Sequence, residues 1–184
     1  MIYASFREPN GMFSNWFNQV AATFTGGDFC HSEFIFEWSE DELAEALQHA
    51  ELKGSSLDRL SFVDDKIHLS MYVMWGMRVG YRVLSHDAED PFNRMPDKHL
   101  VPVSCGFEDE KKLFKWCMDQ CGKDYDKVGA IGCFIPVRSW KSEYNTYFCS
   151  QLMACGLNHI HLTSVNPGST TPNSLYALLQ KECL

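Results

Sequence analysis

Two short segments of the sequence carry side chains that could act together as a nucleophile and its base. The first, residues 29–33, reads FCHSE and contains His31; the second, residues 147–151, reads YFCSQ and contains Cys149. A thiol and an imidazole that are far apart in sequence can meet in the fold. The imidazole then removes the thiol proton, and the thiolate attacks an acyl carbon. The pairing therefore predicts nucleophilic catalysis at Cys149, with His31 as the base.

Cys149 lies where a helix is predicted to begin. Apolar residues recur at helical spacing over 148–157, and Gly156 marks the end of the run. At a helix N-terminus, the unpaired amides and the helix dipole lower the pKa of a thiol. The same amides, including that of Cys149, could hold a developing oxyanion. The alternative is that Cys149 is a small apolar core residue, as most free cysteines are.

His31 begins a predicted strand that directly follows a Gly-Gly turn. Side chains alternate over residues 30–38, so that His31 and Glu33 share one face of the strand. Glu33 is therefore expected to line the substrate cleft beside the histidine. A lone histidine on a strand is more often structural than catalytic, so the assignment of a base depends on Cys149 as well.

A third polar side chain would hold the imidazole in a fixed orientation. The next predicted strand, residues 67–75, places His68 and Ser70 on one face. Either side chain could bond the second ring nitrogen of His31. The sequence does not decide between them, so both remain candidates for the orienting member.

The remaining periodicity predicts an α+β protein. Predicted strands cover residues 30–38, 67–75, 77–84 and 100–104, and predicted helices cover residues 12–24, 39–52, 108–121, 148–157 and 174–184. Residues 128–137 are predicted to form a buried apolar segment. A helix, then strands, then helices is an α+β order. The length favours a single domain over residues 1–184.

Taken together, three segments resemble the circularly permuted papain-like cysteine hydrolases of the NlpC superfamily. They are, in chain order, 25–33 (TGGDFCHSE), 125–130 (YDKVGA) and 147–151 (YFCSQ). In that family the histidine strand precedes the cysteine helix, the reverse of the papain order. The relatives include the YaeF/YiiX-type amidases, their large-DNA-virus homologues and lecithin:retinol acyltransferase. The resemblance implies an α+β, circularly permuted papain-like (NlpC-type) fold, with an antiparallel sheet packed against helices.

The resemblance also implies residue roles and a reaction. Cys149 matches the nucleophile, His31 matches the base that later acts as acid, and Gln151 stands in the cleft where relatives often carry Glu. The reaction would be acyl transfer through a thioester, on a peptide, amide or acyl-lipid substrate. No metal or organic cofactor is implied. Two alternatives remain: a lipid acyltransferase or phospholipase of the same fold, and a non-catalytic binding or virion-associated structural module.

Composition narrows the expected partners and compartment. The net charge is −8 and no basic stripe is present, so nucleic acid is not expected as a partner. No apolar run approaches the roughly 18 residues of a membrane span, and no export signal is recognised. Eight cysteines without such a signal favour reduced thiols. We therefore expect a cytoplasmic protein, in the host cytoplasm or the virion if it is viral; the sequence does not indicate an oligomeric state.

A zinc site is the weaker alternative for the thiol-rich C-terminal half. Its potential ligands are Cys117, Cys121, Cys149, Cys155, His159 and His161. Their spacing lacks the paired pattern of common zinc sites, and the first two cysteines suit one face of a helix. We therefore predict no metal.

Overall fold

The computed structural model describes residues 1–10, 18–19, 22–23, 25–48, 65–74, 76–96, 98–133 and 145–182. The strands are β1 Ile2–Arg7, β2 His31–Ser39, β3 Lys66–Tyr72, β4 Gly80–Leu84, β5 Leu100–Val103, and the two-residue β6 Asp124–Tyr125 and β7 Thr146–Tyr147. The helices are α1 Glu40–Leu47, α2 Phe107–Gln120, α3 Lys127–Gly132, α4 Cys149–His159 and α5 Pro172–Glu182, with a 3₁₀ turn at Pro167–Ser169.

A five-stranded antiparallel sheet forms the centre of the protein, with strand order β4-β3-β2-β1-β5. β2 is the middle strand, and its Phe34 lies opposite Ala4 of β1 and Met71 of β3. Helices pack against this sheet, which confirms the predicted α+β class. Because β2 pairs with β1 on one side and β3 on the other, both of its edges are hydrogen-bonded, and the side chains on both of its faces are largely buried.

The apolar core lies between one face of the sheet and helices α2, α4 and α5. β2 contributes Phe34, Phe36 and Trp38, which are fully buried, as the predicted alternation requires. Phe36 and Trp38 meet the ring of Phe114 in α2 edge-on, at centroid distances of 5.3 and 4.9 Å. The indole N–H of Trp38 donates to Glu110 at 2.9 Å, so the buried donor is satisfied.

The opposite face of the sheet is also buried, but its centre is polar. There Glu33 of β2 accepts hydrogen bonds from Ser70 of β3 and Arg82 of β4, and all three residues are buried. Next to them, Ile35 packs with Leu84 in a small apolar cluster. Because buried polar groups must be paired internally, this layer holds its side chains in defined positions.

Helix α1 begins directly after Ser39, the first residue of the predicted helix. Ser39 Oγ accepts the N–H of Glu42 at 3.3 Å, and the Glu42 carboxylate accepts the N–H of Ser39 at 2.8 Å. This reciprocal capping box stabilises the first turn. The helix ends at Leu47, and residues 49–52 of the predicted span lie outside the described residues.

The strand predicted over residues 77–84 begins only at Gly80. Gly76 adopts a φ of 81°, in the left-handed region that glycine tolerates. The N–H of Met77 donates to the carbonyl of Met74 at 2.9 Å. The turn includes Met77, and Arg78 and Val79 pair with residues 122–124 instead of β3.

The segment predicted to be buried over residues 128–137 contains the short helix α3 instead. Asp126 caps this helix by accepting a backbone N–H at 2.6 Å. Val128 and Ile131 lie one turn apart and are 78% and 54% exposed. The prediction of a buried segment was therefore wrong for these residues, because a six-residue helix buries only one of its sides.

Parts of the predicted organisation lie outside the described residues. These parts are most of the helix over 12–24, the stretch 134–137, and the C-terminal Cys183 and Leu184. The seven described cysteines are free thiols. Within the described ranges, none of the helices has the length and apolar character needed to cross a membrane.

Gly156 marks the closest approach of α4 to its neighbours. A Cβ at this position would lie 2.7 Å from Leu113, 3.0 Å from Phe34 and 3.2 Å from Trp116. We expect Gly156→Ala to lower the free energy of unfolding by about 1–3 kcal/mol, because overpacking outweighs the gain in helix propensity. Urea unfolding followed by circular dichroism measures this change.

Leu113→Ala provides the matched control for this prediction. It removes the side chain that the new methyl group would meet first. The cost of Leu113→Ala should therefore be smaller in the Gly156→Ala background than in the wild-type protein. Equal costs in the two backgrounds would contradict the close packing.

Candidate active site

Cys149 is the first residue of α4 and is only 7% exposed. Phe148 before it is extended, with φ −103° and ψ 166°, and its N–H donates to the Gln151 side chain at 3.3 Å. The N–H of Leu152 donates to the Phe148 carbonyl at 2.9 Å and makes the first hydrogen bond of the helix. The N–H groups of the three residues before Leu152 therefore have no carbonyl partner within the helix. The thiol therefore lies in the positive field of a helix N-terminus.

Cys149 and His31 are close enough for each to shift the pKa of the other. Burial raises the pKa of the Cys149 thiol, but the interaction with His31 and the charge of its ring lower it. The backbone amides of Ser32 and Ser150 lower it further, so the net direction is below the ordinary value. Burial lowers the pKa of His31, but its interactions with Cys149 and Glu33, and the charges of both groups, raise it above its ordinary value. These directions favour a thiolate beside an imidazolium.

Other described cysteines shift the opposite way. Burial raises the pKa of Cys30 to about 12, that of Cys155 to about 12 and that of Cys105 to about 11. Cys30 remains a neutral thiol that donates to the carbonyl of Arg7 at 3.4 Å. Burial alone therefore suppresses thiolate formation in this protein, and the partner of Cys149 reverses the effect.

Glu33 is the carboxylate that the structure places beside His31. Glu33 Oε2 lies 3.9 Å from His31 Nε2, and the same oxygen accepts the Ser70 hydroxyl at 2.7 Å. Arg7 bonds the other oxygen at 2.8 Å, and Arg82 bonds Oε2. Burial raises the pKa of Glu33, but the interaction with His31 and the charges of the two arginines lower it well below its ordinary value. A fully buried carboxylate thus stays ionised next to the imidazole.

Neither His68 nor Ser70, the two sequence candidates for the orienting member, is bonded to His31. The Ser70 hydroxyl donates to Glu33, and His68 Nε2 lies 3.1 Å from a carboxylate oxygen of Glu37. The strand register explains this result, because His68 lies opposite Glu37, six residues along β2 from His31. At about 3.3 Å per residue, six positions correspond to about 20 Å.

Glu33 and Gln151, the two residues predicted to line the cleft, are both buried. The side chain of Glu33 is 0% exposed because the surrounding cations enclose it. Gln151 is also 0% exposed, and its amide oxygen accepts the N–H of Phe148. The Gln151 side chain therefore stabilises the start of α4.

The sequence analysis did not identify Arg7 and Arg82, the two cations that hold Glu33. Their positions follow from alternation once the register is known, since Arg7 lies across from the first residue of β2 and Arg82 lies opposite Ser70. The guanidinium of Arg82 also lies over the ring of Phe92, 4.0 Å from its centroid. An arginine on the inward face of a strand is a signal for a buried anion on the same face.

Tyr125 belongs to the surroundings of Cys149. Burial raises the pKa of Tyr125, and the charges of Cys149 and Cys133 raise it further. The phenol therefore keeps its proton beside the thiolate. Tyr125 also packs on the cluster of Ala130, Cys133 and Phe148, which links α3 to the start of α4.

The ligands of the alternative zinc site are not brought together in the part of the chain that the structure describes. No group of three or more His, Cys, Asp or Glu side chains there has a metal-binding arrangement. Cys117 lies in the apolar core, and the ring of His159 stacks on Trp116.

We expect Glu33→Gln to lower the free energy of unfolding at neutral pH by about 3–5 kcal/mol, because it leaves buried Arg82 without its anion. The folded-state pKa of Glu33 is lowered, so its stabilisation is present above the unfolded-state pKa of about 4.3 and is lost as the pH falls below that value. The difference between variant and wild type should therefore shrink between about pH 5 and pH 2. Urea unfolding at several pH values measures it.

Glu37→Gln is the control, since Glu37 lies on the same face of β2 but is partly exposed and bonded to Lys66 and His68. Glu37→Gln should change the free energy of unfolding by less than about 1 kcal/mol. If it lowers the free energy of unfolding as much as Glu33→Gln does, burial between two arginines does not explain the effect of Glu33→Gln.

Comparisons with known proteins do not assign the chain to a family. No family model, no curated protein and no solved structure matches it. Function must therefore be inferred from the geometry around Cys149, His31 and Glu33.

Proposed function

We propose that the protein is a cysteine hydrolase that cleaves an amide or ester bond through Cys149 and His31, as a peptidase or amidase. The observation that carries the proposal is the burial of Cys149, at the first position of α4, together with His31 and the carboxylate of Glu33, which lies 3.9 Å from the His31 ring. The pKa of Cys149 is shifted downward and that of His31 upward, and both directions favour the thiolate nucleophile. The start of α4 adds backbone amides that can stabilise an oxyanion.

The proposed reaction passes through a thioester. The Cys149 thiolate attacks the carbonyl carbon, and the Cys149 N–H donates to the oxyanion. As the tetrahedral intermediate collapses, the His31 imidazolium gives its proton to the leaving amine or alcohol. His31 then takes a proton from water, and the resulting hydroxide attacks the thioester. Collapse of the second intermediate releases the carboxylic acid and restores the thiolate and the imidazolium.

Glu33 takes the orienting role in this proposal. Its ionised carboxylate lies 3.9 Å from His31 Nε2 and stabilises the imidazolium. Ser70 acts through Glu33, because its hydroxyl donates to the carboxylate. The chain would thus use a Cys-His-Glu arrangement.

For the fold we propose a circularly permuted papain-like architecture of the NlpC type, as a single domain. Three features support it: a central strand that begins at His31, a later helix that begins at Cys149, and an antiparallel sheet packed against helices. Tyr125 packs beside Phe148, so that residues 125–130, another of the three segments on which the resemblance is based, also lie next to Cys149.

The proposal predicts that iodoacetamide labels Cys149 as a thiolate at a pH below the ordinary thiol pKa of about 8.5. His31→Ala should slow this labelling near pH 6 by about tenfold and raise the apparent pKa, because it removes the imidazole that lowers the pKa of Cys149. Mass spectrometry of the labelled peptides gives the rate at each cysteine as a function of pH.

Cys105 is the internal control, because burial raises its pKa to about 11. Its labelling should not respond to His31→Ala. If Cys149 labels no faster than Cys105 at neutral pH, the hydrolase proposal fails and the non-catalytic binding or structural module replaces it.

A lipid acyltransferase or phospholipase is the second candidate, and one surface feature favours it. Val128 and Ile131 are exposed on α3, while Ala130 of the same helix packs with Phe148, the residue before Cys149. An acyl chain lying along this apolar face would bring its ester close to the thiolate. The apolar contact would add to binding in proportion to the buried area.

Esters of p-nitrophenol with long and short acyl chains separate the two candidates. If acyl chains bind α3, the double variant Val128→Ser/Ile131→Ser should raise KM for the decanoate about fivefold, because about 1 kcal/mol of apolar contact is lost. KM for the acetate should not change. Equal KM values for wild type and variant with the decanoate would contradict the acyl-lipid candidate.

A further inference from the structure

The side chain of Asn173, in the first turn of α5, is bonded to the backbone just before His31. Its Oδ1 accepts the N–H of Phe29 at 2.9 Å, and its Nδ2 donates to the carbonyl of Phe29 at 3.0 Å. A carboxamide with this double bond pairs with the backbone as a neighbouring strand would. Nδ2 also donates to Thr25 Oγ1. The carboxamide therefore fixes the chain that enters β2.

Ser150, the residue after Cys149, is bonded to the same short part of the chain. Its hydroxyl donates to the carbonyl of Thr170 at 2.7 Å, and Ser150 is fully buried. Thr170 and Asn173 are three residues apart, a distance of at most about 11 Å even when extended. The two bonds thus connect the start of the cysteine helix to the start of the histidine strand over a short length of chain.

This connecting segment, residues 170–173, is stiffened by its own hydrogen bonds. The Thr170 hydroxyl donates to the carbonyl of Asn166 at 2.7 Å. Thr171 and Ser174 bond reciprocally, with N–H to Oγ distances of 2.9 and 3.1 Å. Pro172 at the start of α5 fixes its own φ. A segment held in this way transmits a displacement at one end to the other.

From these contacts we propose that Asn173 is a positioning residue, and that the segment 170–173 sets the separation of His31 and Cys149. This inference rests on the proposed function, since it concerns the alignment of the same pair. A displacement of about 1 Å is enough to impair a reacting pair. Loss of the carboxamide would therefore reduce the thiolate population without touching either reacting side chain.

The test compares Asn173→Ala with Asn158→Ala in the iodoacetamide pH profile of Cys149. Asn158 is a matched control, because its Nδ2 donates to the carbonyl of Val165 at 2.8 Å within the C-terminal part of the chain. We expect Asn173→Ala to raise the apparent pKa of Cys149 and to slow labelling near pH 6 about tenfold. Asn158→Ala should leave the profile unchanged even if it lowers the stability, which separates positioning from a general structural effect.

Gly27→Ala tests the same contact from the other side. A Cβ at Gly27 would overlap the carboxamide oxygen of Asn173, so the added methyl group displaces the carboxamide without removing it. The profile of Cys149 should shift in the same direction as in Asn173→Ala. This second variant keeps the test available if Asn173→Ala does not fold, as judged by circular dichroism.

The outcomes separate this inference from the function on which it rests. A wild-type profile in a folded Asn173→Ala or Gly27→Ala variant would overturn the positioning role and leave the hydrolase proposal intact. Absence of a thiolate-like profile in the wild-type protein would refute the hydrolase proposal and the positioning role together.

Discussion

The ionised, fully buried carboxylate of Glu33 is the constraint on which the rest of the site depends. A lone carboxylate in this position would cost several kcal/mol, and the two guanidinium groups of Arg7 and Arg82 offset that cost. Once the carboxylate is ionised, it favours the protonated form of His31. The imidazolium in turn favours the thiolate of Cys149. The charges of the site thus form one chain in which each group stabilises the next.

The same burial has opposite consequences for different thiols. Cys30 and Cys155 are only partly exposed, and burial raises the pKa of each to about 12. Cys149 is at least as buried, but its pKa shifts downward because His31 and two backbone amides act on the sulfur. In a low dielectric, an isolated charge is destabilised, whereas the attraction between two opposite charges becomes stronger. The direction of the pKa shift of a thiol in this protein therefore depends on the partner of that thiol rather than on its exposure.

Alternate side chains of the middle strand β2 point to opposite faces of the sheet, so the strand contributes both to the apolar core and to the candidate site. Phe34 and Phe36 face the helices and the apolar core, while His31 and Glu33 face the polar layer. A shift of one residue in the pairing with β1 or β3 would exchange the two sets. The apolar core thus fixes the register on which the polar layer depends.

Local patterns were enough to predict the elements that carry the reactive pair. The strand expected over residues 30–38 is observed as His31–Ser39, and the helix expected over 148–157 is observed as Cys149–His159. Periodicity and capping act over a few residues, so the sequence shows them directly. The role of Gln151 was not predictable in this way, because a helix-capping side chain and a cleft side chain have the same sequence signature.

The sequence by itself determined the strand that carries His31, the helix that carries Cys149, and which faces of β2 are apolar and polar. Only the tertiary structure decided that His68 and Ser70 bond glutamates rather than His31, and that Arg7, Arg82 and Asn173 surround the site. The hydrogen bonds of these last three residues to Glu33 and Phe29 join positions that are between 26 and 144 residues apart in the chain. They depend on strand register and on where α5 docks, and both are set by the burial of the whole core rather than by any local pattern.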